Sequence, residues 1–170
     1  MWLSGTLQLS GEDTGRGRES SVTLLPEFGY YLNGNWSVGG RVGFTSTRTE
    51  QANDTRRETQ TSIVPFARYV FAEPGNFRLF AQGELPVNIH GGRDFDGSSM
   101  DVSSTAGLNL RPGLHYAINE RWGFNMLMPS VFTYLNDTDG DSFFEFGIND
   151  GYTVQQYLLS TNIGFTFTLR

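Results

Sequence analysis

The sequence predicts one all-β domain over residues 1–170: an eight-stranded antiparallel up-and-down transmembrane β-barrel. Three observations predict it. Connections alternate between tight and long, segments of strand length alternate apolar and polar residues, and aromatic residues gather at one end of those segments.

In chain order the strands are read at Trp2–Ser10, Ser20–Leu32, Trp36–Thr47, Thr59–Ala72, Phe77–Asn88, Val102–Ile118, Trp122–Leu135 and Thr153–Leu169. Three connections are tight: Asn33-Gly34-Asn35, Glu73-Pro74-Gly75-Asn76 and Asn119-Glu120-Arg121. Asn and Gly tolerate the positive φ of short hairpin turns, and Pro-Gly suits a slightly longer one. The other four, Gly11–Glu19, Arg48–Glu58, Ile89–Asp101 and Asn136–Tyr152, are long and polar. That wiring matches short periplasmic turns and longer extracellular loops. A soluble meander has no reason to sort its loops by end.

Parity supports the same fold. Trp36, Val38, Val42 and Phe44 share one face of the third strand, opposite Ser37, Arg41, Thr45 and Thr47. The fifth sets Phe77, Leu79, Ala81, Leu85 and Val87 against Arg78, Gln82, Glu84 and Asn88. The sixth and last repeat the pattern, with Leu108, Leu110 and Leu114 against Asn109, Arg111 and His115, and Ile163, Phe165 and Phe167 against Gln156, Asn162 and Thr166. Eight strands enclose a lumen just wide enough to be filled by side chains. The bulky apolar set would overfill it, so the polar set is expected inside. The apolar belt is then outside, far larger than a soluble monomer tolerates. Outer-membrane lipid is the expected solvent for it.

Composition narrows the classes. No apolar run approaches the roughly 20 residues of a membrane-spanning helix, and the negative mean hydropathy is what alternating strands produce. Cysteine is absent and all 12 basic residues are Arg. A net charge of −6 argues against nucleic acid as partner. No leader-like segment is read at the start, so Met1 is taken to open a mature chain in the bacterial outer membrane.

The stretches Asn35-Trp36-Ser37-Val38-Gly39-Gly40, Pro65-Phe66-Ala67-Arg68-Tyr69-Val70-Phe71 and Arg111-Pro112-Gly113-Leu114-His115-Tyr116 resemble the generic small outer-membrane β-barrel family, of the OmpA/OmpX-like type. The resemblance implies fold and location more than an activity. The chain departs from it in ending Phe167-Thr168-Leu169-Arg170 rather than on an aromatic.

Candidate sites follow. Glu27, Arg41, Arg68, Arg78, Glu84 and Arg111 have inward parity and form the expected lumen charge network, read as a plug rather than an ion path. Trp2, Tyr30, Trp36, Tyr69, Phe71, Phe77, Tyr116, Trp122, Phe165 and Phe167 form the expected aromatic girdle near the tight turns. Asp137, Asp139 and Asp141 alternate as in a calcium loop, but lack the sixth-position Gly and twelfth-position Glu of an EF-hand. Phe143, Phe144 and Phe146 after them are read as a strand extension, because Asn149-Asp150-Gly151 is a hairpin signal. His115 has no nucleophile at a readable spacing, so no catalytic residue and no cofactor is expected.

The expected function is a non-enzymatic, monomeric outer-membrane barrel, structural or binding an extracellular protein or glycan through its loops. The rivals are a lipocalin-like soluble barrel holding a small apolar ligand, a narrow pore, and an outer-membrane lipid-modifying enzyme.

Overall fold

The computed structural model describes residues 1–13, 18–51, 54–137, 140–147 and 161–169. Among these, the chain forms only strands: β1 (Trp2–Asp13), β2 (Arg18–Tyr31), β3 (Trp36–Gln51), β4 (Asp54–Ala72), β5 (Phe77–Glu84), β6 (Val87–Arg93), β7 (Ser103–Ala117), β8 (Trp122–Leu127), β9 (Phe132–Asp137), β10 (Ser142–Phe146) and β11 (Asn162–Thr168). Every pairing is antiparallel. At the end carrying the tight turns the ring runs β1, β2, β3, β4, β5, β7, β8, β11 and back to β1, eight strands with no free edge. Toward the loop end β6 replaces β5 between β4 and β7, β9 replaces β8 beside β7, and β10 pairs with β9.

Proline accounts for two departures from the predicted strands. The fifth is interrupted at Leu85-Pro86 and the seventh at 128–131, around Pro129. Proline brings no amide hydrogen to a ladder. The first break keeps register, passing from Phe66↔Glu84 to Ile63↔Val87. The second is a bulge. Gly113 to Leu110 is three steps on β7 while Leu127 to Phe132 is five, so two residues are extra.

Three loops are shorter than predicted. β1 and β2 stay paired out to Asp13↔Arg18, β3 and β4 out to Gln51↔Asp54, and β6 carries the fifth strand on to Arg93. Beyond the apolar belt both faces of these hairpins are polar, so alternation no longer marks them, while Thr at 45, 47, 49, 55, 59 and 61 still favours strand. The predicted 136–152 loop contains the end of β9 and all of β10, a hairpin turning at Gly140 with φ +89°. The described part of the predicted last strand is β11; its remainder lies outside the described residues.

Two tight turns are built alike. The Asn33 carboxamide oxygen accepts from the amides of Asn35 and Trp36, and the Asn119 oxygen from those of Arg121 and Trp122. Each Asn thereby satisfies two amides that the hairpin leaves unpaired. The third turn places Gly75 at φ +63°. At the same end Leu169 donates to the Met1 carbonyl and closes the seam between the termini.

Phe28, Val42, Phe44, Ile63, Leu85, Leu110 and Ile163 are exposed on the outer face. Arg41, Arg68, Gln82, Glu84 and Asn125 are buried on the inner one. A closed antiparallel ring with an apolar exterior and charge inside is an outer-membrane-type β-barrel.

Candidate functional site in the lumen

Five of the six charged residues expected in the lumen meet at its waist. Glu27 is on β2, Arg41 on β3, Arg68 on β4, Glu84 on β5 and Arg111 on β7, so consecutive strands of one wall each deliver one group. Register aligns them, since Glu27 faces Arg41, Arg68 faces Gln82 and Gln82 faces Arg111 across neighbouring strands.

Glu84 is the hub. Its carboxylate pairs with Arg41, accepts from the Gln82 amide at 2.8 Å and lies 4.0 Å from Arg111. Glu27 bridges Arg41 and Arg68, at 3.4 Å from Arg41 Nε and 3.0 Å from an Arg68 terminal nitrogen. Arg68 Nε donates to Gln82 Oε1 at 2.8 Å, which joins both halves. Arg111 donates to the backbone carbonyl of Met128 at 2.7 Å, using the bulge opened by Pro129. Gln82 is 0% exposed and Glu84 2%. Charges so deep persist only when paired and hydrogen-bonded, and arginine's planar fork of donors suits that geometry.

Below the waist large apolar side chains join the buried polar Ser37, Asn125 and Thr166. The Arg68 guanidinium lies 4.0 Å from the Phe80 ring centroid, 4.6 Å from Trp2 and 5.6 Å from Phe66. Val70 and Leu127 pack with Phe80. Three inward glycines make room: a Cβ at Gly29 would strike the Trp2 ring, one at Gly39 the Phe66 ring, and one at Gly113 the Phe80 ring. A narrow barrel accommodates an aromatic ring where the facing residue has no side chain.

This corrects the reading of Trp2. It is 1% exposed and lies inside the barrel, so it is not part of an outer girdle. Pairing of Trp2 with Gly29 and Thr168 turns the ring inward, into the space that Gly29 leaves. The expectation that only small or polar groups face the lumen is corrected with it.

The other girdle residues line the outside near the tight turns, largely as cross-strand pairs. Trp36 stands 4.9 Å from Tyr69, Phe77 4.8 Å from Tyr116, Trp122 4.8 Å from Phe167, and Phe165 4.9 Å from Phe124. Tyr30 and Phe71 are exposed beside them. Arg78 does not join the waist. It sits at the turn-end mouth, 3.3 Å from Glu73 and 6.0 Å from the Tyr31 ring, because its position is nearest the strand end.

Above the waist the lumen opens. A cavity of ≈ 320 Å³ is floored by Arg41, Glu84 and Arg111 and walled by Ser62, Asn88, Asn109, Leu25 and Leu135 among others. A second, of ≈ 210 Å³, lies under Met100 and Asp101 against Thr45, Thr47, Gln60 and His90. Beside Glu27, Arg41 and Arg68 there is ≈ 30 Å³, room for little more than a water or two.

Asp137 and Asp141 close the β9–β10 turn, the Asp141 amide donating to Asp137 Oδ1 at 2.9 Å. Asp139 and Gln156 lie outside the described residues. No trio of metal-ligand side chains converges among the described residues. Phe143, Phe144 and Phe146 sit on β10 and are exposed. The His115 ring faces Asn125 across 3.2 Å inside the barrel.

A family model described as "Putative MetA-pathway of phenol degradation" matches residues 6–149, most of the chain. No curated protein matches. Among solved structures, the β domain of the Bordetella autotransporter Brka is similar at 15% identity and a TM-score of 0.43, a match covering 86% of this chain and 64% of that one.

Proposed function

The chain belongs to the MetA phenol-degradation family, and from that premise and the lumen geometry we propose a non-enzymatic, monomeric barrel of the bacterial outer membrane whose waist is sealed. Its role is structural, or the binding of an extracellular protein or glycan through the loop end, as in small barrels of the OmpA/OmpX-like type. One observation carries the seal: Glu84 is held by Arg41, Gln82 and Arg111 at once, and Arg68 is wedged among three aromatic rings directly below. The exposed apolar exterior with its paired aromatics supports lipid as solvent over a lipocalin-like soluble barrel. The His115–Asn125 pair inside the lumen supports a structural histidine over a lipid-modifying one.

The family's description adds a second reading, in which the barrel binds a small hydroxylated aromatic. It is supported by the ≈ 320 Å³ cavity, whose lining includes Leu25, Val64 and Leu135 and also Asn109, where the amide oxygen is buried with no hydrogen-bond partner among the described residues. A phenolic hydroxyl would supply the missing donor.

The test has two arms. Heat-modifiable electrophoretic mobility after refolding in detergent, but not in plain buffer, is expected of a membrane barrel. Planar-bilayer recording is expected to show no steady conductance; a steady open level would replace the plug with a pore. Calorimetric titration with phenol decides the second reading, since heat that survives Asn109→Leu would overturn it.

A further inference from the structure

Three arginines meet on the outside of the barrel. The β3–β4 register sets Arg48 directly opposite Arg57, and the β4–β6 register sets Arg57 directly opposite Arg93. They share the parity of Phe44, Ile63 and Ile89 on the same strands, and all are exposed. Directly opposed side chains start about 4.5–5.5 Å apart at Cβ, and like charges so placed destabilise a sheet. Compensation is thin. Arg48 pairs with Glu50 at 2.8 Å, and among the described residues Arg57 and Arg93 make no ion pair or side-chain hydrogen bond. On β4 itself, the flanking Arg56 and Glu58 are on the opposite face and pair with each other at 2.5 Å.

The height of this row above the apolar belt identifies its surroundings. Moving toward the tight turns, the next outward row is Ser46, Thr59 and Gly91, and the one after is Phe44, Thr61 and Ile89. Val22 of β2 faces Ser46 two residues below Arg48, and on β3, β4 and β6 themselves the first large apolar side chains lie four residues below the arginines. That is roughly 13 Å along the strands and about 10 Å along the barrel axis at a typical tilt. This is the level of the headgroups. Gly91 leaves the wall open beneath them, since a Cβ there would meet only Val102 at 3.9 Å.

We propose that Arg48, Arg57 and Arg93 form a docking site for the phosphate monoester of an acidic glycolipid in the outer leaflet. A phosphate over Arg57 accepts paired N–H donors from two guanidiniums and converts a repulsive row into a bridged one. Lysine, a point charge without the planar fork, would hold it less specifically. The proposal rests on the barrel being inserted with its loop end outward.

The experiment uses the refolded chain in detergent micelles, with insertion checked first by heat-modifiable mobility. Lipid A, its dephosphorylated form, or inorganic phosphate is then titrated while the thermal midpoint is read. Lipid A is expected to raise the midpoint, at least about tenfold more effectively than the dephosphorylated lipid, the scale of one lost charge-assisted contact. Inorganic phosphate at the same concentration is expected to do nothing. Arg57→Gln with Arg93→Gln should abolish the shift while leaving the lipid-free midpoint unchanged or higher, because repulsion is relieved. Arg121→Gln, at the turn end, should keep the shift. Equal shifts in wild type and double variant, an equal effect of dephosphorylated lipid, or reproduction by inorganic phosphate each overturn the site. Should the double variant not insert, Arg57→Lys replaces it, and an undiminished shift there overturns the site as well. Failure of the wild type to insert at all sinks the membrane reading and this proposal with it, and is recognised by mobility alone.

Discussion

The turn-side and loop-side halves of the lumen are enclosed by one continuous wall and filled in opposite ways. Below the waist, Trp2, Phe66, Val70, Phe80 and Leu127 pack around Arg68 with rings set against glycines. Above it, small polar side chains line open space: Thr23 bonds Thr45 at 3.1 Å, Ser62 bonds Asn88 at 2.7 Å and Asn88 bonds Thr105 at 3.2 Å, around cavities of ≈ 320 and ≈ 210 Å³. Under the proposed function the waist divides a dry half, which would hold the barrel shut, from a wet half with room for a ligand. A deletion in the dry half leaves a void or an orphaned charge. One in the wet half leaves a place for water.

The largest expected effect is at the hub between the halves. Glu84→Ala takes a carboxylate from both Arg41 and Arg111 and strips Gln82 of its acceptor. Removing one partner of a buried pair costs about 3–5 kcal/mol. The urea midpoint of refolded barrel should fall accordingly, whereas Glu58→Ala, half exposed in its pair with Arg56, should move it by less than about 0.5 kcal/mol. Equal losses would mean that water reaches the waist and that no dry half exists.

Phe80→Ala tests the dry half directly. The ring is 1% exposed, covers Arg68 at 4.0 Å and fills the notch left by Gly113. Truncating a buried Phe costs about 3–5 kcal/mol, and the lower end is expected because Leu127 and Val70 flank the void. The same midpoint reads it, together with any conductance newly appearing in a bilayer. A loss under about 1 kcal/mol would place the ring in a soft, hydrated region and erase the contrast.

A smaller effect is expected in the wall that both halves share. Val42 is exposed on the outer face, with Arg41 and Gly43 beside it buried on the inner one. Val42→Arg should cost about 2–4 kcal/mol in lipid if it lies near the midplane. The check is folding into vesicles by band shift. A variant folding as readily as wild type would reverse the faces, and with them the meaning of inside.

Much of this architecture is legible in the sequence. Loop lengths and parity are enough to assign the eight-stranded fold, and parity alone points Glu27, Arg41, Arg68, Glu84 and Arg111 to the same side. The repeated Asn-x-x-Trp of Asn33–Trp36 and Asn119–Trp122 is visible as turn signal, though not as one motif used twice. What stays hidden depends on register. Trp2 reads as part of the outer girdle because a ring fits the lumen only opposite a glycine, and Gly29, like the Gly39 and Gly113 that admit Phe66 and Phe80, is distant in sequence from the ring it admits. Arg48, Arg57 and Arg93 fall in the predicted loops, where no pairing could bring them together. The β9–β10 hairpin is legible in part: Phe143, Phe144 and Phe146 read as a strand extension and lie on β10, while the pairing with β9 around Gly140 depends on register.

The smallest expected effect is the most discriminating for the wet half. The Ser62 hydroxyl donates to Asn88 Oδ1 at 2.7 Å and accepts from Gln60 at 3.4 Å, on the wall of the ≈ 320 Å³ cavity. A net intramolecular hydrogen bond contributes about 0.5–1.5 kcal/mol, and a buried acceptor left unmet costs about 1–3 kcal/mol. Which figure applies to Ser62→Ala depends on what replaces the hydroxyl. In a sealed lumen nothing does, so Asn88 would be left short of a donor. In a water-accessible vestibule a water takes the vacated position and bonds Asn88 nearly as well. A wet loop-side half requires the second case, a loss below about 1 kcal/mol in the urea midpoint. Ser62→Val adds bulk without a hydroxyl and should cost little more, because the cavity has room for it. If either variant loses as much as Phe80→Ala, the loop-side half is as dry as the turn-side half, and the cavity over Glu84 has no claim to bind anything.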